Sequence, residues 1–348
     1  MNLFELTRAL LDIPSVTGEE GEAGQFLASY LEDLNYRVEA QEVAGNRSNI
    51  LGTTTDPPRV VLSTHIDTVP PHFTDSEDDE FIYGRGACDA KGIIAAQICA
   101  AEKLRAEGIP QIGLLFVVDE EVNSAGARAA NTHPRAAECR YLIDGEPTEN
   151  KLAVGSKGSL RVRLTAQGRA AHSAYPEAGE SAIERLLDAL VALRACNWPR
   201  DEFFGNTTCN IGLITGGTRS NVIPAEASAE LQLRLVTPVE PVMELLKHAV
   251  AGRARLEVLS TVGPVRTLAI QGFDQTIVRF TTDIPHLTQW GVPLLLGPGS
   301  ILDAHIPRER IAKRQLLAAV DLYARLAREL LAQDRMLAEL GATEGATR

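Results

Sequence analysis

The chain has 348 residues, 45% of them hydrophobic and 23% charged, with a formal charge of −12. That length exceeds one small core and points to two domains. The acidic balance speaks against nucleic acid or an anionic membrane as partner, because both reward clustered Lys and Arg. No apolar run approaches the roughly 18–20 residues of a membrane span, and the start MNLFELTRALLDIPS lacks the basic, apolar and small-residue order of a signal peptide, so a cytoplasmic location is expected. The cysteines, five in number and without a CxxC pair, read as free thiols rather than as a disulfide frame or a zinc-thiolate site.

In chain order, EEGEAGQFLASYLEDL has apolar residues at helical spacing, and RVVLST is a short apolar run of the kind that forms a buried strand. KGIIAAQICAAEKLRAEG has the helical period and ends in Gly108, while IGLLFVV and RYLID are further strands of the buried type. Strands alternating with helices imply an α/β fold, a mostly parallel sheet covered by helices on both faces, with a site at the carboxyl ends of its strands. After Lys151 the pattern changes. SLRVRLTAQG and AEASAELQLRLV alternate strictly, as half-exposed strands do, and ESAIERLLDALVALRA and PVEPVMELLKHAVAG are amphipathic helices. This is an inserted α+β domain over residues 156–265, with one sheet face left open to a partner. Near Gly263–Arg266 the chain returns to the first domain, residues 1–155 and 266–348, through the strand GVPLLLG and the long closing helix ERIAKRQLLAAVDLYARLARELLAQ. The tail GATEGATR reads as unstructured.

Side chains able to hold a cation gather where the strands of the first domain end. In STHIDTVP, extended backbone points residues i and i+2 the same way, so His65 and Asp67 face beyond the strand end, with the carboxylate placed to fix the imidazole tautomer. Asp89, in YGRGACDAKGI, lies among glycines just before a helix, as an ordinary helix cap or as a ligand. Glu120 and Glu121 leave IGLLFVVD as adjacent carboxylates that repel unless a cation or a proton separates them. Asp144 and Glu146 end RYLIDGEPT, and His305 follows a strand and a Gly-Pro-Gly turn in GPGSILDAHIP. Each has an ordinary explanation alone. Together these strand ends deliver only His, Asp and Glu, the donors of divalent zinc and its relatives. One bridging carboxylate plus terminal ligands for two metal ions can be supplied by His65, Asp89, Glu121, Glu146 and His305. Glu120 is then left to take a proton from an activated water and pass it to a leaving amine.

The segments STHIDTVP, YGRGACDAKGI, DEE, GEPT, GRAAHSAYPEAGESAI, GGTRSNVIPAEASAELQLR and GPGSILDAHIPRERI resemble, in this order, the M20 metallopeptidase family of acetylornithine deacetylase, succinyl-diaminopimelate desuccinylase, aminoacylase and carboxypeptidase G2. The resemblance implies a di-zinc, sometimes cobalt, amide hydrolase whose catalytic domain is interrupted by a lid domain that also forms a homodimer. It implies Asp89 as bridging ligand, Glu120 as general base, and His65, Glu121, Glu146 and His305 as terminal ligands, with Glu146 preferred over Asp144. It implies a cis peptide at Asp89–Ala90. It also implies that His172 reaches from one subunit's lid into the other's metal site to donate a hydrogen bond to the developing oxyanion. Arg234, helped by Asn221, is assigned to the substrate's free carboxylate.

This chain departs from the family at TTDIPHL, where Pro285 or His286 replaces the desuccinylases' substrate arginine, and at AHIPRE, which places Arg308 beside the metal mouth. The activity expected is removal of a short acyl group from an N-acyl amino acid, most like acetylornithine deacetylase of amino-acid biosynthesis. The alternatives are a dipeptidase or carboxypeptidase, a desuccinylase and, outside enzymes, a silent binding protein on this fold.

Overall fold

The structure, a computed structural model, describes residues 1–54 and 57–345. It divides into two compact units: Met1–Val154 with Thr267–Thr276 and Thr282–Arg348, and Gly155–Arg266 with Ile277–Thr281. Among the described residues no helix is long and apolar enough to cross a membrane.

The first unit is built on a mixed sheet. Its central strands Ile112–Val117, Val60–His65, Tyr141–Asp144 and Val292–Leu295 run parallel, in that spatial order. Antiparallel strands flank them: the hairpin Arg37–Ala44 and Arg47–Thr53 beyond Ile112–Val117, and Leu152–Ser156 beside Val292–Leu295. Val60–His65 and Ile112–Val117 are buried at every position, as strands covered on both faces must be. Alternation sorts their side chains. Val60, Leu62, Leu114 and Phe116 join a core with the helices Leu3–Asp12, Lys91–Ala106 and Lys313–Gly345, while Val61, Leu115 and Val117 pack on the opposite side with Ala127, Leu142 and Trp290. The parallel strands therefore end together, and the loops after His65, Val117, Asp144 and Leu295 leave the sheet at one end.

Several elements had no counterpart in the sequence reading, among them the first helix and a hairpin. The first helix, Leu3–Asp12, is fixed by a capping box in which the Asn2 side chain accepts from the Glu5 amide at 3.0 Å and Glu5 accepts from the Asn2 amide at 2.8 Å. The hairpin turns at Gly45, whose φ of 60° suits glycine. The closing helix extends to Gly345, into the tail that composition marks as unstructured, and residues 346–348 of that tail lie outside the described residues.

The second unit has a four-stranded antiparallel sheet in the order Thr208–Gly216, Glu226–Leu235, Gly158–Gln167, Arg255–Val262. Leu160, Val162 and Leu164, with Ala229, Leu231 and Leu233, face the helices Ala182–Arg194 and Val239–Val250. The intervening residues Ser159, Arg161 and Arg163 lie on the other face, which no helix of this unit covers. The strand Thr208–Gly216 lies at the sheet edge and leaves Leu213 and Ile214 exposed.

Candidate metal centre

His65 is the last residue of its strand and is buried. Its Nδ1 lies 2.9 Å from the Asp67 carbonyl oxygen and 3.5 Å from the Asp67 carboxylate, and its Nε2 lies 3.0 Å from Asp89 Oδ1. The second carboxylate oxygen of Asp89 faces a different imidazole, His305 Nε2, at 3.3 Å. That same His305 nitrogen is 2.8 Å from Glu121. One carboxylate thus stands between two histidines with an oxygen toward each. Two donor groups share His65: His65 with Asp89 and Glu121, and His65 with Glu120 and Glu146, the donor atoms of each group lying within 4.8 Å of one another. Five of the sequence-derived candidates and Glu120 therefore converge at one end of the first unit's sheet. Asp144 is in neither group. It is buried on the strand Tyr141–Asp144 itself, its Oδ2 has no hydrogen-bond partner, and burial followed by the charge of Asp283 pushes its pKa up to about 8.

Electrostatics here favour a cation. Burial raises Glu120 and Glu146 well above the ordinary carboxylate range, with His65 opposing in both, and it raises Glu121 against the pull of His305. Hydrogen bonds to Asp89 and Glu121 carry His305 up to about 10, while burial opposes. His65 is raised despite its burial, through Asp67 and Asp89. Asp89 stays low because both histidines outweigh its desolvation. A nitrogen and oxygen donor set with several acids sharing little positive charge is what a zinc-class divalent ion fits.

Neighbouring segments hold these groups in place, and the sequence reading missed several of them. Asp67 does more than face His65: its carboxylate accepts the amides of Glu120 and Glu121, at 3.0 and 3.1 Å, and the Thr17 hydroxyl at 2.8 Å. The turn that carries Glu120 and Glu121 begins at Asp119, a non-glycine residue with φ of 69°. Arg47 braces it, reaching Asp119 at 3.2 Å and the buried Glu20 at 3.1 Å. Glu309, fully buried, accepts the amides of Gly86, Cys88 and Asp89 at 3.0–3.1 Å and pairs with Arg85 at 2.6 Å, so it fixes the loop that presents Asp89. Asp89 is not a helix cap: the helix Lys91–Ala106 starts from Ala90 without a side-chain cap. The Asp89–Ala90 peptide is cis. Glu309 lies in the AHIPRE segment, but its amide acceptance depends on a long-range contact that no spacing encodes.

The remaining candidates belong to the second unit. His172 lies on an exposed turn where its Nδ1 accepts the Ala174 amide at 3.2 Å. The next residue, Ser173, donates its amide to the Asn221 carbonyl at 3.0 Å, so His172 and Asn221 share one local surface. Arg234 is elsewhere, on the strand Glu226–Leu235 with Thr208 and Ser159 as its register partners. At the segments that depart from the family, His286 Nε2 lies 3.4 Å from Arg128, and the Arg308 guanidinium lies 5.1 Å over the Tyr83 ring.

Residues 154–255 match a family model described as a peptidase dimerisation domain. A peptidase M20 domain-containing protein of Schizosaccharomyces pombe is 39% identical over 93% of this chain and 84% of its own length. A probable carboxypeptidase of Emericella nidulans is 37% identical over 93% of this chain and 88% of its own. Among solved structures, an M20 family metallo-carboxypeptidase from Sulfolobus solfataricus superposes with a TM-score of 0.74 at 16% identity, covering 93% of this chain and 98% of that one.

Proposed function

From the premise that this chain belongs to the M20 peptidase family, we propose that it is a metal-dependent carboxypeptidase or dipeptidase that cleaves the amide bond next to a residue with a free carboxylate. The observation that carries the hydrolytic reading is Asp89, with one oxygen toward His65 and the other toward His305, beside a Glu120 that makes neither contact. The peptidase alternative is chosen over the deacetylase because the relatives at 37–39% identity carry M20 peptidase and carboxypeptidase names.

In this reading two divalent ions, zinc in the first place and cobalt as a substitute, would be held by Asp89 as the shared ligand and by His65, Glu121, Glu146 and His305 as terminal ligands. Such ions supply Lewis acidity toward a scissile carbonyl and acidify water. Glu120 takes the proton of the attacking water and returns it to the leaving amine. Burial raises its proton affinity above that of an ordinary carboxylate. Asp67 holds the His65 imidazole from behind and, through the amides of Glu120 and Glu121, keeps base and ligand in register. Residues 1–155 and 266–348 form the catalytic domain, and residues 156–265 form the lid through which a homodimer assembles. His172 of the partner subunit donates to the oxyanion, with Asn221 on the same local surface as His172, and Arg234 receives the substrate carboxylate.

The test is an assay of zinc- or cobalt-loaded protein on dipeptides, N-blocked peptides with free carboxyl termini, acetylornithine and succinyl-diaminopimelate. Peptide kcat/KM exceeding that on acetyl substrates by about tenfold, a ratio within what pocket contacts supply, is expected. The reverse ratio would restore the deacylase reading, and protein that binds metal yet cleaves none of them would sink both.

A further inference from the structure

Around His305 the surface carries several large hydrophobic side chains. In the segment SILDAHIPRER Asp303 accepts from Arg310 at 3.0 Å, Arg310 lies 4.4 Å over the Phe81 ring and Arg308 lies over Tyr83, both arginines keeping access to solvent, while Glu309 is buried. The apolar side chains of the same segment turn outward, with Ile301 36%, Leu302 82% and Ile306 38% exposed. On the facing loop Val122, next to Glu121, is 58% exposed, and the 2.8 Å contact between Glu121 and His305 brings the two loops together. Of the seven large hydrophobic residues that the first unit exposes among the described residues, four thus lie within four residues of one of these two side chains. Single exposed hydrophobic residues need no explanation, but a group gathered at one place does.

We infer that this apolar rim binds the side chain of the substrate residue next to the scissile bond, and that the chain selects peptides with an aliphatic or aromatic residue there. This rests on the amide-hydrolase reading for its setting. The size of the rim decides between occupants: a stable protein interface needs roughly 20–30 residues a side, whereas a few side chains beside a polar centre match the contact surface of one apolar side chain. The rim is continuous with the Glu121–His305 pair, so an occupant would lie against the reacting groups. A polar side chain in the same place would leave its hydrogen-bonding groups against hydrocarbon and be rejected.

The test uses the full chain loaded with zinc and two near-isosteric, uncharged amino acids, leucine and asparagine, as calorimetric probes, together with hydrolysis of Ala–Leu and Ala–Asn. Leucine is expected to bind about tenfold or more tighter than asparagine, with the same order in kcat/KM. In a Leu302→Ser, Ile306→Ser double variant, or in Val122→Ser if the double variant folds poorly, the preference should shrink toward unity. Equal binding of the two probes, no binding of leucine, or a preference unchanged in the variants would overturn the inference. If no peptide is hydrolysed the amide-hydrolase reading falls, while the leucine-to-asparagine ratio and its response to the variants still decide this one.

Discussion

At the carboxyl ends of Val60–His65 and Ile112–Val117 acidic side chains and histidines are buried against one another, whereas on the open face of Gly158–Gln167 and Glu226–Leu235 the polar side chains meet solvent, as in the Arg163–Glu230 pair at 2.7 Å. The chemistry of the residues is similar and the environments are opposite. In water an ion pair loses most of its Coulomb energy and contributes little. Away from water, ionised carboxylates carry a desolvation cost that only partners or cations offset. Buried acids therefore report a task, while exposed ones on the second sheet acquire a role only through what docks against them. His172 and Asn221 belong to this second kind.

The largest effect that separates the two regions is expected from Glu120→Gln. It should lower turnover by about 10²- to 10⁴-fold, the range for a lost general base, while calorimetry still finds zinc bound, since the five other side chains remain. Loss of metal along with activity would make Glu120 a ligand rather than the base.

His172→Ala tests the solvent-exposed region, with an expected loss of about 10²- to 10³-fold in turnover, as for one oxyanion donor. Because the donor is assigned to the partner subunit, co-expression with Glu120→Ala should restore activity in mixed dimers that neither parent shows. Mixed dimers verified by mass yet inactive would confine His172 to its own surface.

Proton competition is the next effect in size. His305, raised to about 10 by Asp89 and Glu121, and His65, Glu121 and Glu146, all raised, must lose protons before they bind a cation. Their raised proton affinity opposes metal at low pH, so zinc affinity should climb from pH 5 to pH 8 by about tenfold per unit for each proton displaced. A flat titration would mean that protons and metal do not share these groups.

The smallest change is a contrast in stability. Arg85→Met leaves Glu309 buried without its cation and should destabilise the fold by about 3–5 kcal/mol, whereas Arg163→Met, on the exposed pair, should leave the melting temperature unchanged. Equal shifts would erase the distinction between the two regions.

The strands ending at His65, Val117, Asp144 and Leu295 are legible because period and composition are local: buried strands read as apolar runs, and a histidine or an acid at or beyond the end of such a run marks the sheet's end. The alternating strands and amphipathic helices of the inserted domain were legible for the same reason. The hairpin Arg37–Thr53 carries a turn signal in Ala-Gly-Asn, but its outer strand is polar at half of its positions and so lacks the apolar run of a buried strand. The order of the strands, which places Val60–His65 between Ile112–Val117 and Tyr141–Asp144, is a matter of tertiary packing and left no trace in spacing. So is the support of the candidate centre: Glu309 holding the amides around Asp89, Arg47 joining Glu20 to Asp119, and Thr17 on Asp67 each link residues tens to hundreds of positions apart. A hydrogen bond depends on distance in space and a motif on distance in sequence. The chain's own order therefore determined which side chains could serve as ligands and base, and only the folded sheet decided that one oxygen of Asp89 would face His65 and the other His305.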